Sequence, residues 1–198
     1  MQLPLSPASF TVESVPTAAE LNQIAGLTSF ATQVPIVVSL KKNATQAASA
    51  GTSTPVTWQT VEVDSDGMHS TGSPSLLTAQ TQGYFKFHAT IAATISTAAD
   101  YLIQVIVTTG AHNPSGSGIQ TLIYQSSGRS TTATGDNVSL HVAGLTPPMY
   151  VGDNLQVVFM CTATVSINNS FLKTGNTDIA GNTDGASCIE MYWICEGP

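Results

Sequence analysis

Alternation of apolar and polar side chains is the feature that most constrains how this chain can fold. From residue 85 to 91, every second position is apolar, with Phe85, Phe87, Ala89 and Ile91 set against Lys86, His88 and Thr90. A second segment repeats the pattern, with Val138, Leu140 and Val142 set against Asn137, Ser139 and His141. Because successive side chains of a β-strand point to opposite faces, both segments predict strands with one buried face.

From Gln33 onward, β-structure is predicted throughout, with no helical period of useful length. Clusters of turn-forming residues separate the strands, as at residues 112–116 (HNPSG). The predicted strands cover residues 34–40, 55–63, 76–80, 83–95, 100–109, 118–125, 136–143, 152–163 and 186–195. The fold class predicted is therefore all-β, a sandwich of two sheets.

Two of the predicted strands are apolar on much of both faces. In the first, Tyr101, Ile103, Val105 and Val107 alternate with Leu102, Gln104, Ile106 and Thr108. In the second, Leu155, Val157 and Phe159 alternate with Val158 and Met160. A strand of this kind needs cover from outside a two-layer sandwich, and assembly into a trimer would supply it. Core and trimer packing is accordingly assigned to Phe85, Phe87, Tyr101, Ile103, Val105, Val157 and Phe159.

Residues 1–31 are predicted to form an arm separate from the domain at 32–198. The arm contains a capping box, Thr17-Ala18-Ala19-Glu20, which predicts a short helix over about residues 17–25. Leu21 and Ile24 give this helix a small apolar face, and it is too short to stand alone. It must dock, either as a plug on its own barrel or as an anchor to a partner. The candidate anchor residues are Thr17, Glu20, Leu21 and Ile24.

Composition and charge exclude several classes of function. Only 9% of the residues are charged, and Thr, Ser, Asn and Gly take their place, which suits short strands and a surface partly hidden in an assembly. The formal charge of −7 with five basic residues argues against a nucleic-acid partner. No run of residues approaches the length of a membrane span, and the N-terminal residues do not resemble a signal peptide. The protein is expected in the cytoplasm unless a particle carries it out.

The three cysteines, Cys161, Cys188 and Cys195, lack the spacing of a zinc or redox site. Buried free thiols are the expected state. A bridge between Cys188 and Cys195 is disfavoured, because both would lie along one short strand and be too far apart.

Three segments carry a resemblance to a known family: residues 61–69 (VEVDSDGMH), 82–85 (QGYF) and 151–157 (VGDNLQV). In this order they resemble the globular-head jelly roll shared by complement component one q and the tumour necrosis factor superfamily, over roughly residues 32–194. The version with Asp-Gly-Met-His in the turn resembles structural proteins of tailed bacteriophages. The resemblance implies a jelly roll that assembles as a threefold homotrimer. Residues 163–185 depart from a minimal version of the fold.

Two turn motifs stand out within these segments. The first contains Asp64, Asp66, Gly67, Met68 and His69, and the second contains Gly152 and Asp153. Asp64 and Asp66 begin like a calcium loop, but the twelfth position is a serine where an EF-type loop needs a bidentate glutamate. A tight turn capped by its own carboxylates is favoured over a metal site. In the second motif glycine allows a tight turn, and the aspartate can accept backbone hydrogen bonds.

No catalytic pattern is found in the sequence. It contains no Gly-x-Ser-x-Gly elbow, phosphate-binding loop or His-Glu-x-x-His motif, and its four histidines are scattered. The acidic residues stand mostly alone in turns, whereas glycoside cleavage needs a carboxylate pair in a cleft. We therefore expect neither an enzyme nor a cofactor.

These expectations combine into a phage virion structural protein, made in the host cytoplasm and carried in the particle. It would be a trimeric jelly roll that decorates or cements the capsid at threefold or quasi-threefold positions, with the major capsid protein as its partner. The alternative is a head- or tail-fibre tip that binds a host receptor through loops 110–118 and 164–185. A secreted lectin-like or signalling trimer would need a signal peptide.

Overall fold

The computed structural model describes residues 36–95, 97–110, 119–131, 136–168 and 187–196. These residues contain strands, turns and irregular segments and no helix, so none of them forms a helix that could span a membrane. The predicted helix at about residues 17–25 and its candidate anchor residues lie outside the described residues, as does the predicted boundary between residues 31 and 32.

The described residues form twelve strands, which confirms the all-β prediction. In chain order they are β1 (Ile36–Lys41), β2 (Gln46–Ala48), β3 (Thr54–Pro55), β4 (Thr60–Asp64), β5 (Leu77–Thr78), β6 (Tyr84–Ile95), β7 (Ala99–Thr109), β8 (Ile119–Ser130), β9 (Asp136–Leu145), β10 (Asn154–Cys161), β11 (Val165–Ile167) and β12 (Cys188–Cys195).

The strands form two antiparallel sheets, which we name sheet A and sheet B. In sheet A, β6 pairs with β9 along one edge and with β12 and β11 along the other. Strand β12 continues to β1 and β4, and β11 continues to β2. In sheet B, β7 lies between β8 and β10, and the far edge of β10 carries the short strands β3 and β5. This arrangement is the predicted two-sheet jelly-roll sandwich.

The core lies between the two sheets. The inward positions of β6 and β12 from sheet A face those of β7 and β10 from sheet B, and the apolar periodicity of each strand selects which side is buried. Six of the residues assigned to core and trimer packing are completely buried: Phe85, Phe87, Ile103, Val105, Val157 and Phe159. They lie in the core of their own sandwich and leave no surface for a sister subunit. Tyr101, the seventh, is half-buried.

The predicted strand over residues 55–63 is two strands in the structure. Strand β3 pairs with β10 in sheet B, whereas β4 pairs with β1 in sheet A. Between them the chain crosses from one sheet to the other, and Trp58 is buried in the crossing segment. Val56 and Trp58 are buried, whereas no residue of β4 is buried, so the alternation across residues 55–63 does not mark one continuous buried face.

The two strands predicted to be apolar on both faces are β7 and β10, neighbours in sheet B. Their outward side chains Leu102, Ile106 and Met160 are half-buried, and outward Val158 is buried within the chain itself. These strands therefore need less cover from outside the chain than their sequence suggests.

Candidate interaction surface

The outward face of sheet A is a surface to which four adjacent strands contribute. Four adjacent strands, β9, β6, β12 and β1, align their outward side chains in three rows. Listed from β9 to β1, the lower row is Leu145, Lys86, Tyr192 and Ile36; the middle row is Ala143, His88, Glu190 and Ser39; and the upper row is His141, Thr90, Cys188 and Lys41. We name this set the sheet A face.

The ends of the lower row expose large apolar side chains. Leu145 is 48% exposed and Ile36 is 39% exposed, and Ile194 at the end of β12 is 38% exposed. One exposed apolar side chain alone needs no explanation, but three on the same face of a sheet mark a surface suited to burial against another protein.

The polar groups of this surface largely find partners within the chain. The Lys41 ammonium forms an ion pair with Glu62 of β4, and the Ser39 hydroxyl donates to the same carboxylate at 3.2 Å. The Tyr192 hydroxyl donates to Glu190 at 2.8 Å. Burying a polar group costs free energy chiefly when the group is left without a partner. Covering these partnered groups therefore costs little free energy.

Two histidines lie side by side on this surface. The rings of His88 and His141 are nearly parallel, with centroids 6.1 Å apart and planes 5° apart. His141 Nδ1 lies 2.9 Å from the Thr90 hydroxyl, and His141 Nε2 lies 3.1 Å from the Ser139 hydroxyl. Since both nitrogens of His141 are engaged, its ring is held in place. No group of three or more His, Cys, Asp or Glu side chains in the described part of the chain could hold a metal.

The contacts on this surface also shift three ionisation equilibria. The hydrogen bond from Lys41 lowers the pKa of Glu62, and the hydrogen bond to Glu190 raises the pKa of Tyr192. Burial raises the pKa of the Cys188 thiol, which favours its neutral form. Cys161, Cys188 and Cys195 are all free thiols, as predicted, and Cys188 and Cys195 lie at the two ends of β12. The predicted burial is confirmed only for Cys161, because Cys188 is half-buried and Cys195, at the end of its strand, is exposed.

The first turn motif uses its carboxylates to hold the chain. Asp64 Oδ1 accepts the Met68 amide at 2.8 Å, and Asp64 Oδ2 accepts the His69 amide at 3.1 Å. Gly67 adopts a φ of 67°, a left-handed conformation that favours glycine. Asp66 Oδ1 accepts the Thr81 hydroxyl at 2.7 Å. Both oxygens of Asp64 thus satisfy backbone donors of the turn.

His69 and the second motif are fixed in a similar way. His69 Nε2 lies 3.1 Å from the Trp58 carbonyl oxygen. Asp153 is completely buried, and its carboxylate accepts the amides of Gly110 at 3.0 Å and Tyr150 at 2.9 Å. Gly152 has a φ of 93°. The residues of the two turn motifs therefore position loops and leave no open cluster of chemical groups.

Sequence reasoning missed the sheet A face as a surface. It assigned Phe85 and Phe87 correctly to one side of β6 and Lys86, His88 and Thr90 to the other, but it did not align the outward residues of four strands. The available signal was the unusual content of the outward positions, such as the apolar Leu145 that ends β9. Of the two loops suggested for receptor binding, residues 111–118 and 169–185 lie outside the described residues.

Comparison with known proteins identifies the fold alone. No protein-family model and no curated protein matches the sequence. Among solved structures, the Eiger TNF of S. frugiperda is similar with 15% identity and a TM-score of 0.54, over 83% of this chain and 96% of that one. The globular domain of the zebrafish complement 1qA protein is similar with 10% identity and a TM-score of 0.50, over 83% of this chain and 100% of that one. Murine APRIL is similar with 12% identity and a TM-score of 0.50, over 80% and 98%.

These likenesses span nearly the whole length of each compared domain. They confirm the jelly roll of the complement component one q and tumour necrosis factor type that the turn and strand motifs imply. At such low identity they do not carry over a ligand or a partner.

Proposed function

We propose that this protein is a non-enzymatic structural protein that works as a homotrimer, with the sheet A face as the contact between subunits. The observation that carries the proposal is the combination found there. Exposed Leu145 and Ile36 offer apolar area, while Lys41, Ser39 and Glu190 already have ion-pair or hydrogen-bond partners. Burial of the apolar area gains free energy, and these three polar groups need no new partner.

The jelly-roll fold supports threefold assembly as an inference from the family resemblance. A closed ring of three copies hides the same surface on every subunit, whereas an open contact would continue into filaments. Each contact should bury roughly 1,200 Å² or more in total, the scale of a specific interface.

We further propose that the trimer is a decoration or cement protein of a phage capsid. The support is the resemblance of the turn at residues 64–69 to tailed-phage structural proteins, together with the low charge of a chain built for assembly. Three copies of a capsid site converge at threefold and quasi-threefold positions, which match the symmetry of a trimer. The partner would be the major capsid protein, and residues 1–31 would be the anchor.

The proposed subunit contact is tested by replacing one exposed apolar residue with a charged one. Leu145→Glu should place a carboxylate in the contact and shift the mass in solution from three chains toward the 20.5 kDa of one. The matched control is Ile119→Glu on β8 of sheet B, because Ile119 is 55% exposed and lies away from the sheet A face. Light scattering after gel filtration measures both variants. A monomeric parent protein, or a trimer that tolerates Leu145→Glu, would refute the proposed contact.

The capsid role is tested on particles. Deleting residues 1–31 should leave a trimer of correct mass that no longer binds undecorated shells, and shells lacking the protein should lose resistance to heat or osmotic shock. The fibre-tip alternative predicts the opposite results. Particles lacking the protein would keep normal shell stability but lose host adsorption, and the truncated domain would still bind cells. Normal shells with abolished adsorption would replace the cement role with receptor binding.

A further inference from the structure

A cavity of about 580 Å³ opens on sheet B, at the end where β7 begins. Its volume falls within the range typical of small-molecule sites, roughly 300–1,000 Å³. Six outward side chains from three neighbouring strands and the turn after β10 line it: Asp100, Leu102, Ser127, Arg129, Met160 and Thr162. The cavity lies on the opposite sheet from the sheet A face, so none of these residues belongs to the sheet A face.

Strand register explains why these side chains converge. Leu102 of β7 lies opposite Met160 of β10 on one side and opposite Ser127 of β8 on the other. Two residues closer to the start of β7, Asp100 lies opposite Arg129. Because alternate residues of a strand share a face, the two tiers lie side by side, with an apolar floor of Leu102 and Met160 next to a polar rim that includes Asp100 and Arg129.

The rim holds an accessible cation. Arg129 is the only arginine in the sequence. Its side chain is 73% exposed, and its Nε lies 3.4 Å from Oδ1 of Asp100, whose side chain is 64% exposed. An ion pair so open to solvent contributes little to stability, so the guanidinium can turn to another anion at low cost. A guanidinium also offers several donors in a planar fork that suits carboxylate and sulfonate oxygens.

We propose that this cavity binds a small amphipathic anion. The apolar body of the ligand lies on Leu102 and Met160, and its carboxylate, sulfate or sulfonate group pairs with Arg129. Ser127 and Thr162 supply hydroxyls at the rim for further polar groups. The protein carries a net charge of −7, so the long-range field opposes an anion, and recognition depends on this one local contact.

The test uses anilinonaphthalene sulfonate as the charged probe and N-phenylnaphthylamine as its neutral counterpart, each titrated by fluorescence against the 198-residue chain. Both probes should bind saturably, at one site per chain. Arg129→Gln should weaken the sulfonate about ten-fold or more, the scale of a lost hydrogen bond to a charged group, and change the neutral probe less than about two-fold. Asp100→Asn should leave sulfonate binding equal or tighter, because it frees the guanidinium.

A second pair of variants tests the position of the site. Ser127→Trp places a large ring over the floor from an exposed position and should abolish binding of both probes. Gln125→Trp, also exposed on β8 but outside the lining, should leave both unchanged and serves as the matched control. Thermal melts of all variants verify folding. Any of three results would overturn the proposal: a lack of saturable binding, a sulfonate affinity that Arg129→Gln does not change, or binding that survives Ser127→Trp.

Discussion

Gly144 lies beneath an aromatic ring, and replacing it with alanine tests how the two sheets meet at their open edge. Gly144 of β9 pairs with Phe87 of β6, and Tyr124 of β8 lies over both. The rings of Phe87 and Tyr124 meet edge to face, with centroids 5.4 Å apart and planes 69° apart. A Cβ added at residue 144 would lie 2.3 Å from Cε2 of Tyr124, closer than real Cβ atoms approach.

The cost of Gly144→Ala follows from the response available to Tyr124. This side chain is 39% exposed, so its ring can swing outward rather than strain the backbone. That movement forfeits the aromatic contact, about 0.5–1.5 kcal/mol, and returns apolar area to water at about 25 cal/mol per Å². We expect a total loss of about 1–3 kcal/mol in the free energy of unfolding. At about 2–4 °C per kcal/mol, the melting temperature should fall by about 2–12 °C.

The assay is thermal or denaturant unfolding at a fixed chain concentration, since assembly makes stability depend on concentration. Tyr124→Ala removes the ring that the new methyl group would meet, so the double variant should be no less stable than Tyr124→Ala alone. Gly72→Ala is the control, because its Cβ would meet only the Ser70 hydroxyl at 3.6 Å, and it should change stability by less than about 0.5 kcal/mol. Wild-type stability for Gly144→Ala, or additive losses in the double variant, would refute this packing.

Three further predictions follow from the core, the acidic turn and a buried lysine. Phe85→Ala and Phe87→Ala should each lower the free energy of unfolding by about 3–5 kcal/mol, because both side chains are completely buried. Lys86→Ala should lower it little, because Lys86 is exposed. If thermal melts rank these variants in the reverse order, the register of β6 is wrong by one residue. A chelator should leave the melting temperature unchanged, because the Asp64 carboxylate already accepts two backbone amides. A large rise in melting temperature on addition of calcium would instead identify Asp64 as a metal ligand. Burial lowers the pKa of Lys42 from 10.5 to about 8, so the unfolded chain binds this proton more tightly. The free energy of unfolding should therefore rise as the pH increases from 8 to 10.5. Urea unfolding of Lys42→Met over the same pH range should lack this contribution to the rise, because the variant has no amine at that position.

Long strands with strict alternation were predictable from the sequence, because every additional residue repeats the evidence. The prediction over residues 83–95 became β6 (Tyr84–Ile95), and that over 100–109 became β7 (Ala99–Thr109). Strands β2 (Gln46–Ala48) and β11 (Val165–Ile167) were missed. Each has three residues, too few to show a period, and each forms because a neighbouring strand offers an edge.

The end of β8 shows a different limit. The prediction stopped at residue 125, because Ser126, Ser127 and Gly128 have low strand propensity, but β8 continues to Ser130. Tyr101 on β7 explains part of the extension. Its ring covers Gly128 directly, so that a Cβ there would lie 2.6 Å from Tyr101 Cε2. An aromatic side chain that covers a cross-strand glycine restores packing that the glycine lacks, and this contact depends on a residue distant in sequence.

The two proposed sites could not be predicted from the sequence, unlike the turn motifs. The turn motifs were found because their residues are contiguous, whereas the sheet A face and the cavity each combine single residues from several strands. Asp100 and Arg129, for example, are brought together only by the register of β7 and β8. Neither residue has a motif around it that would mark it.

The placement of these two surfaces on opposite sheets has a consequence for function. A trimer whose contacts leave sheet B uncovered would keep its three cavities separate from those contacts. Variants of Leu145 should therefore change the mass in solution without changing the affinity of the single site for the sulfonate, and variants of Arg129 should do the reverse. If loss of the trimer also abolished probe binding, the cavity would have to include a residue from a neighbouring subunit. The two surfaces would then form one functional unit, and a role in ligand recognition would gain weight over a purely structural one.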